Sequence, residues 1–224
     1  MVSITSWMEE FTAAVRAAFG ERVCCIGLQG SYGRGEAGEH SDIDPVVILS
    51  RLTPQDINVY RTLLAGLSDR EKICGFFGGK EELLDWEPSD LFQFYHDTTP
   101  VYGSLDELLP RIGPEDAKRA VCIGACNIYH MCVHNILHEQ DPAVLKGLYK
   151  SAAFVLQAKH FGATGQYLRR QGDLLPLLPP MDRDILEISL ALKKRDLAEG
   201  ELEPLSERLF LWAGALIRKS HDLS

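Results

Sequence analysis

Two aspartates with one residue between them, Asp42 and Asp44, stand at the head of the apolar run "PVVIL". On a strand, residues i and i+2 point to the same face, so the two carboxylates would project together. Carboxylates that close raise each other's pKa unless a cation lies between them. Hard divalent ions with oxygen ligands, Mg²⁺ among them, meet that need. A pair of such ions about 3.5–4 Å apart can clamp the attacking and leaving oxygens of a phosphoryl-type displacement. Asp42 and Asp44 are therefore the candidate metal ligands and catalytic residues, with two Mg²⁺ ions expected.

The stretch just before them is "GLQGSYGRGEAG", with five glycines in its twelve residues. Glycine tolerates left-handed φ, so the backbone there can turn its N–H groups toward one point. Converging amides make a nest for anions. Ser31 adds a hydroxyl beside Gly30, and Arg34 adds a positive charge that could serve either an anion or the turn itself. A glycine turn alone is commonly just a turn, and Asp-x-Asp alone is commonly a solvated strand edge. Their coupling within one short stretch points to a metal–triphosphate.

The string Gly30-Ser31-x-x-Arg34-Gly35, followed by Ser41-Asp42-Ile43-Asp44 before "VVIL", resembles the signature of the DNA polymerase β-like nucleotidyltransferase superfamily. The nearest likeness is to small bacterial members, the minimal and the aminoglycoside nucleotidyltransferases. The motif spans about 20 residues, and the order of elements extends the likeness over roughly residues 1–110. The resemblance implies a mixed sheet flanked by helices, metal ligation by Asp42 and Asp44, and nucleotide contacts from Gly30, Ser31, Arg34 and Ser41. It also implies transfer of a nucleoside monophosphate from an NTP to an acceptor, with release of pyrophosphate.

One departure stands out. The superfamily usually carries a third carboxylate on a later strand, where it completes the metal site and often acts as base. The strand expected here, "EKICGFFGGK", has Gly75, Phe76 and Phe77 in its interior and no acid. Glu71 precedes it, and Glu81, Glu82, Asp85, Glu87 and Asp90 follow it. For Glu81 and Glu82 a solvated helix start is the favoured reading.

The elements that must position these groups follow from periodicity. Trp7, Met8, Phe11, Val15 and Phe19 recur at helical spacing over 5–19, with Gly20 as a stop. "VCCIGLQ" and "IDPVVILS" read as strands on either side of the glycine turn. Thr53 and Pro54 open a helix reaching Leu67. "ICGFFG" is a third strand, and "EELLDW" a short helical piece. "LFQFYHD" and "PVYGS" read as two extended pieces around a turn at Asp97–Pro100, an ordinary hairpin. From residue 113 the pattern is helical: 115–138, 142–162, 181–194 and 203–219, with "LLPLLPP" as a proline-interrupted connector. The fold class is α+β, a mixed-sheet domain over 1–112 and a helical bundle over 113–224.

Within the bundle, Cys122, Cys126, His130, His134 and His138 recur every four residues. On a helix such a stripe drifts by about 40° per step, so only adjacent members could share a ligand. Zinc suits Cys and His together, but no third ligand is evident, and a packing seam reads better. Lys146 and Lys150 lie one turn apart on a helix whose other face is apolar. In helical partners of related nucleotidyltransferases a lysine often reaches the NTP phosphates. That implies Lys150 first and Lys146 second.

Composition bounds the rest. A formal net charge of -9 argues against polynucleotide binding, which depends on Lys and Arg. No apolar run reaches the ~18 residues of a membrane span, and the N-terminus has no signal-peptide pattern. Six cysteines without a C-x-x-C pair read as reduced thiols. The expectation is a cytoplasmic, Mg²⁺-dependent nucleotidyltransferase acting on a hydroxyl of a small molecule or a protein, with no membrane partner and a homodimer left open. The competing expectation is a nucleotide sensor or partner-binding module that kept the fold and lost turnover with the third carboxylate.

Overall fold

The computed structural model describes residues 2–39 and 41–221. The chain divides into two compact units, Met1–Ile112 and Gly113–Ser224. The first is a four-stranded mixed sheet with helices and the second is helical.

In the first unit, helix α1 (Ile4–Phe19) is stopped by Gly20, whose φ of 58° few other residues adopt at low cost. Strand β1 (Val23–Gln29) follows, then the five-residue helix α2 (Gly30–Arg34) and strand β2 (Asp44–Leu49). Helix α3 (Pro54–Ala65) starts at a capping box. Thr53 and Asp56 each bond the other's backbone N–H, and Pro54 fills the first turn. Strand β3 (Phe76–Gly79), helices α4 (Lys80–Leu84) and α5 (Pro88–Asp97) and strand β4 (Thr99–Gly103) complete the unit. The sheet order is β3-β2-β1-β4. β1 is antiparallel to both β2 and β4, whereas β2 and β3 are parallel. A parallel pair needs a crossover connection, and α3 provides it.

Period-2 alternation sorts β2 cleanly. Ile43, Val47 and Leu49 join Trp7, Phe11, Val15 and Tyr60 in a core beneath α1 and α3. Val46 and Ile48 face the other way, into a core with Leu83, Leu91, Leu105 and Leu108. Asp44 has the parity of Val46 and Ile48, so it lies on the α5 side of the sheet's end, and Asp42 lies just ahead of the strand.

"LFQFYHD" is not extended: it forms most of α5, and only Thr99–Gly103 is strand. Aromatic β-propensity suggested the hairpin. Leu91, Phe94 and Tyr95 instead place an apolar face at helical spacing against the sheet, with Pro88 starting the helix. Packing outweighs propensity here. The glycine turn also holds a short helix that the pattern did not suggest.

In the second unit, helix α6 (Pro114–His134) runs on into a π turn (Asn135–Glu139). Helices α7 (Pro142–Thr164), α8 (Gln171–Leu174), α9 (Pro180–Leu192) and α10 (Leu202–His221) follow. Ile128, Leu145, Tyr149, Leu156, Ile185 and Trp212 anchor their shared core. The stretch Pro114–Glu139 is, by length and apolar composition, able to cross a membrane, contrary to the sequence expectation. Its Ala125, Ile128 and Cys132 are packed in the core of this unit.

Candidate active site

The site is assembled where β1 ends and β2 begins. Gln29 and Asp44 are register partners, so the chain leaves β1 directly beside the second aspartate. Gly30 then takes φ +66°. A Cβ there would lie 1.8 Å from Asp44 Oδ2, so the carboxylate rests against the bare glycine. Gly33 likewise leaves room for Leu28 O, which a Cβ would meet at 2.5 Å. These two close approaches fold the turn back onto its own strands.

Ser31 is half-buried, and its carbonyl accepts from the Glu36 N–H at 2.8 Å, closing the turn. The Ser41 hydroxyl accepts from the Gly38 N–H at 2.8 Å and closes the following loop just ahead of Asp42. Asp42 is exposed and Asp44 is half-buried.

Arg34 points inward rather than to solvent and is only 4% exposed. Its Nη1 donates to both carboxylate oxygens of buried Asp97 at 2.9 Å, and its Nε donates to Glu36 Oε2 at 3.2 Å. Burial works against the guanidinium charge. The charge and hydrogen bonds of Asp97, with those of Glu36, outweigh it, and the pKa lies above the ordinary arginine value. Removing one partner from a buried pair of this kind costs about 3–5 kcal/mol, because the other charge stays uncompensated. Asp97 also accepts from the Gly30 N–H at 3.3 Å, so that amide is engaged within the protein. Next to it, Gln29 Nε2 donates to Thr98 Oγ1 at 2.8 Å and to Phe94 O at 3.2 Å. Asp97 thus emerges as a residue of the site, which the hairpin reading had set aside.

The β3 side carries no acid beside Asp44. Val46 pairs with Phe76, and Ile43 forms a parallel bridge with Ile73. The same register sets Cys74 level with Asp44, and its N–H donates to Ile43 O at 2.9 Å. Cys74 is an exposed free thiol. Of the acids that follow, Asp85 is 3.6 Å from Arg111, and Glu87, at the start of α5, accepts from the Ser89 hydroxyl.

Among the described residues, no three His, Cys, Asp or Glu side chains converge to hold a metal. A closed protein cage, and a zinc centre in the Cys–His stripe, are not formed. His134 is instead 3.3 Å from Glu139. Two carboxylates on one strand end do suit Mg²⁺, which usually takes one or two carboxylates and fills its octahedron with water and phosphate oxygens. In the second unit, Lys146 is paired with Asp196 at 3.0 Å, while Lys150 is exposed.

Residues 9–96 match the family described as Nucleotidyltransferase domain. Together with the mixed sheet and the turn–aspartate geometry, this makes the first unit a polymerase β-like nucleotidyltransferase domain. The family typically uses Mg²⁺ and NTP. Among solved structures, the chain is similar to the spectinomycin adenyltransferase AAD(9) from Enterococcus faecialis, crystallised with ATP and spectinomycin. The identity is 17%, the TM-score is 0.58, and the match covers 92% of this chain and 98% of that one. At that identity the likeness is one of fold. No curated protein matches the sequence.

Proposed function

We propose that this protein transfers a nucleoside monophosphate from an NTP, with ATP the first choice, to a hydroxyl of a small-molecule acceptor. The observation that carries the reading is the seat of Asp44 against Gly30, which makes the glycine turn and the aspartate pair one site. In the reaction the acceptor oxygen bonds to the α-phosphorus, and the bond from that phosphorus to the bridging oxygen breaks. Pyrophosphate leaves and the hydroxyl proton is released. Mg²⁺, when bound, would neutralise phosphate charge and orient the triphosphate. Asp42 and Asp44 would hold it, and the Ser31 hydroxyl would contact the phosphates. Arg34 acts by shaping the turn, and Ser41 by closing the loop that presents Asp42. Lys150 is proposed as a cation for the phosphates ahead of Lys146, whose charge is already paired with Asp196.

A small-molecule acceptor is supported by the likeness in fold to an enzyme crystallised with ATP and an antibiotic. The net charge of -9 suits a cationic acceptor. A second reading, nucleotide binding with weak or no turnover, is favoured by one observation: a thiol, not a carboxylate, stands level with Asp44 in the segment that leads into β3.

The test is incubation with labelled NTPs, Mg²⁺ and a panel of small polyhydroxylated amines, with pyrophosphate release as the readout. The Asp42→Asn, Asp44→Asn double variant serves as control. Release by the wild type and not by the variant supports transfer. Metal-dependent NTP binding without release supports the sensor reading. Absence of metal-dependent binding in the wild type overturns both.

A further inference from the structure

We infer that Asp97 is a positioning residue, which fixes the candidate nucleotide turn from the end of α5. Its buried carboxylate holds two points of α2 at once, the Gly30 N–H at 3.3 Å and the Arg34 guanidinium at 2.9 Å. These are the first and last residues of the helix. One side chain, 63 and 67 residues away in sequence, therefore sets both ends of the turn. The neighbouring bonds from Gln29 to Thr98 and Phe94 pin α5 to the end of β1 at the same level. The Thr99 hydroxyl donates to Gly33 O at 3.2 Å and fixes the middle of α2. All of this lies behind Gly30, whose other side is occupied by Asp44. Displacing Asp97 would release Gly30 and with it the surface that seats Asp44.

The pair is buried, so its neutralised charges serve the turn and not solvent. Asp97 is 6% exposed, and both of its oxygens accept from Arg34. With both oxygens engaged inside the protein, its role runs through Gly30 and Arg34.

The nucleotide readout of this inference rests on the transfer reading, and the exchange readout does not. The test compares the wild type with Asp97→Asn and with the double variant Arg34→Met, Asp97→Leu. Replacing both partners of a buried pair by apolar groups is often tolerated, so the double variant is designed to stay folded. Amide hydrogen exchange over 29–36 is measured first. Mg²⁺–ATP affinity is then measured by calorimetry, well below the melting temperature. The expected result is faster exchange confined to 29–36 in both variants, with the rest of the sheet protected. ATP affinity should fall about tenfold or more in the double variant at near-normal melting temperature. Asp97→Asn keeps an acceptor for the Gly30 N–H and should lose less affinity. Unchanged exchange over 29–36 would overturn the inference, even with a lowered melting temperature, and would do so whether or not the protein binds ATP.

Discussion

The Gly30 Cα and the Asp44 carboxylate are in such close contact that an added Cβ would lie 1.8 Å from Oδ2 and 2.8 Å from Cγ. The glycine is required twice, by its φ of +66° and by this contact. Gly30→Ala therefore imposes a left-handed strain of about 1–2 kcal/mol and also pushes the candidate ligand aside. The expected outcome is a modest fall in melting temperature with a loss of Mg²⁺-dependent ATP affinity of about tenfold or more. Calorimetric titration beside a thermal melt checks it. An affinity that survives the lowered melting temperature would make Gly30 a backbone device only.

Cys74 offers a gain rather than a loss. The β2–β3 register sets it level with Asp44, on the same side of the sheet as Val46 and Phe76. Cys74→Asp would bring a third hard oxygen donor to the strand ends. Three carboxylates repel without metal, so the variant should melt below wild type in chelator. Mg²⁺ should then raise its melting temperature more than it raises that of the wild type, because a ligand that binds the folded state stabilises it by mass action. Pyrophosphate release should rise in parallel. Equal Mg²⁺-induced shifts in the two proteins would show that position 74 does not reach the metal.

Much of the first unit was legible in its sequence. The β-branched run in "IDPVVILS" and the Thr53–Pro54 helix start both express local rules, and each holds in the structure. What the sequence hid was tertiary. "LFQFYHD" carries both a β-favouring composition and a helical spacing, and only the sheet face it covers decides between them. The role of Asp97 depends on a contact with Arg34 across 63 residues, which no local pattern encodes. Cys74 was invisible for a similar reason: its place beside Asp44 follows from strand register, not from composition.

Acid should loosen the first unit at Asp56. Its carboxylate receives hydrogen bonds from Arg22 at 2.7 and 3.1 Å and from the Thr53 N–H and hydroxyl at 2.9 and 2.7 Å. The Arg22 bonds first, then those of Thr53, hold its pKa well below the usual value of 3.8. A carboxylate depressed on folding contributes stability in full above its unfolded pKa and loses it as pH falls toward the folded value. The melting temperature of the wild type should therefore drop from about pH 4 downward. Asp56→Asn should melt lower at pH 7 and show a flatter slope below pH 4. Parallel slopes in the two proteins would remove Asp56 from the acid response.

Lys150 and Lys146 lie one turn apart on α7 but differ in what they already bind. Lys146 Nζ is 3.0 Å from Asp196, whereas exposed Lys150 has no ion-pair partner among the described residues. An unpaired ammonium can give its full charge to a phosphate, while a paired one must first give up its carboxylate. A charge-assisted contact of this kind contributes roughly 1.5–3 kcal/mol. Lys150→Met keeps the aliphatic stem and should leave the melting temperature unchanged. It should weaken ATP affinity by about one to two orders of magnitude, and Lys146→Met should weaken it by less. ATP titrations of the wild type and the two variants in Mg²⁺ decide the assignment. Dissociation constants that match for Lys150→Met and wild type would confine the nucleotide contacts to the first unit.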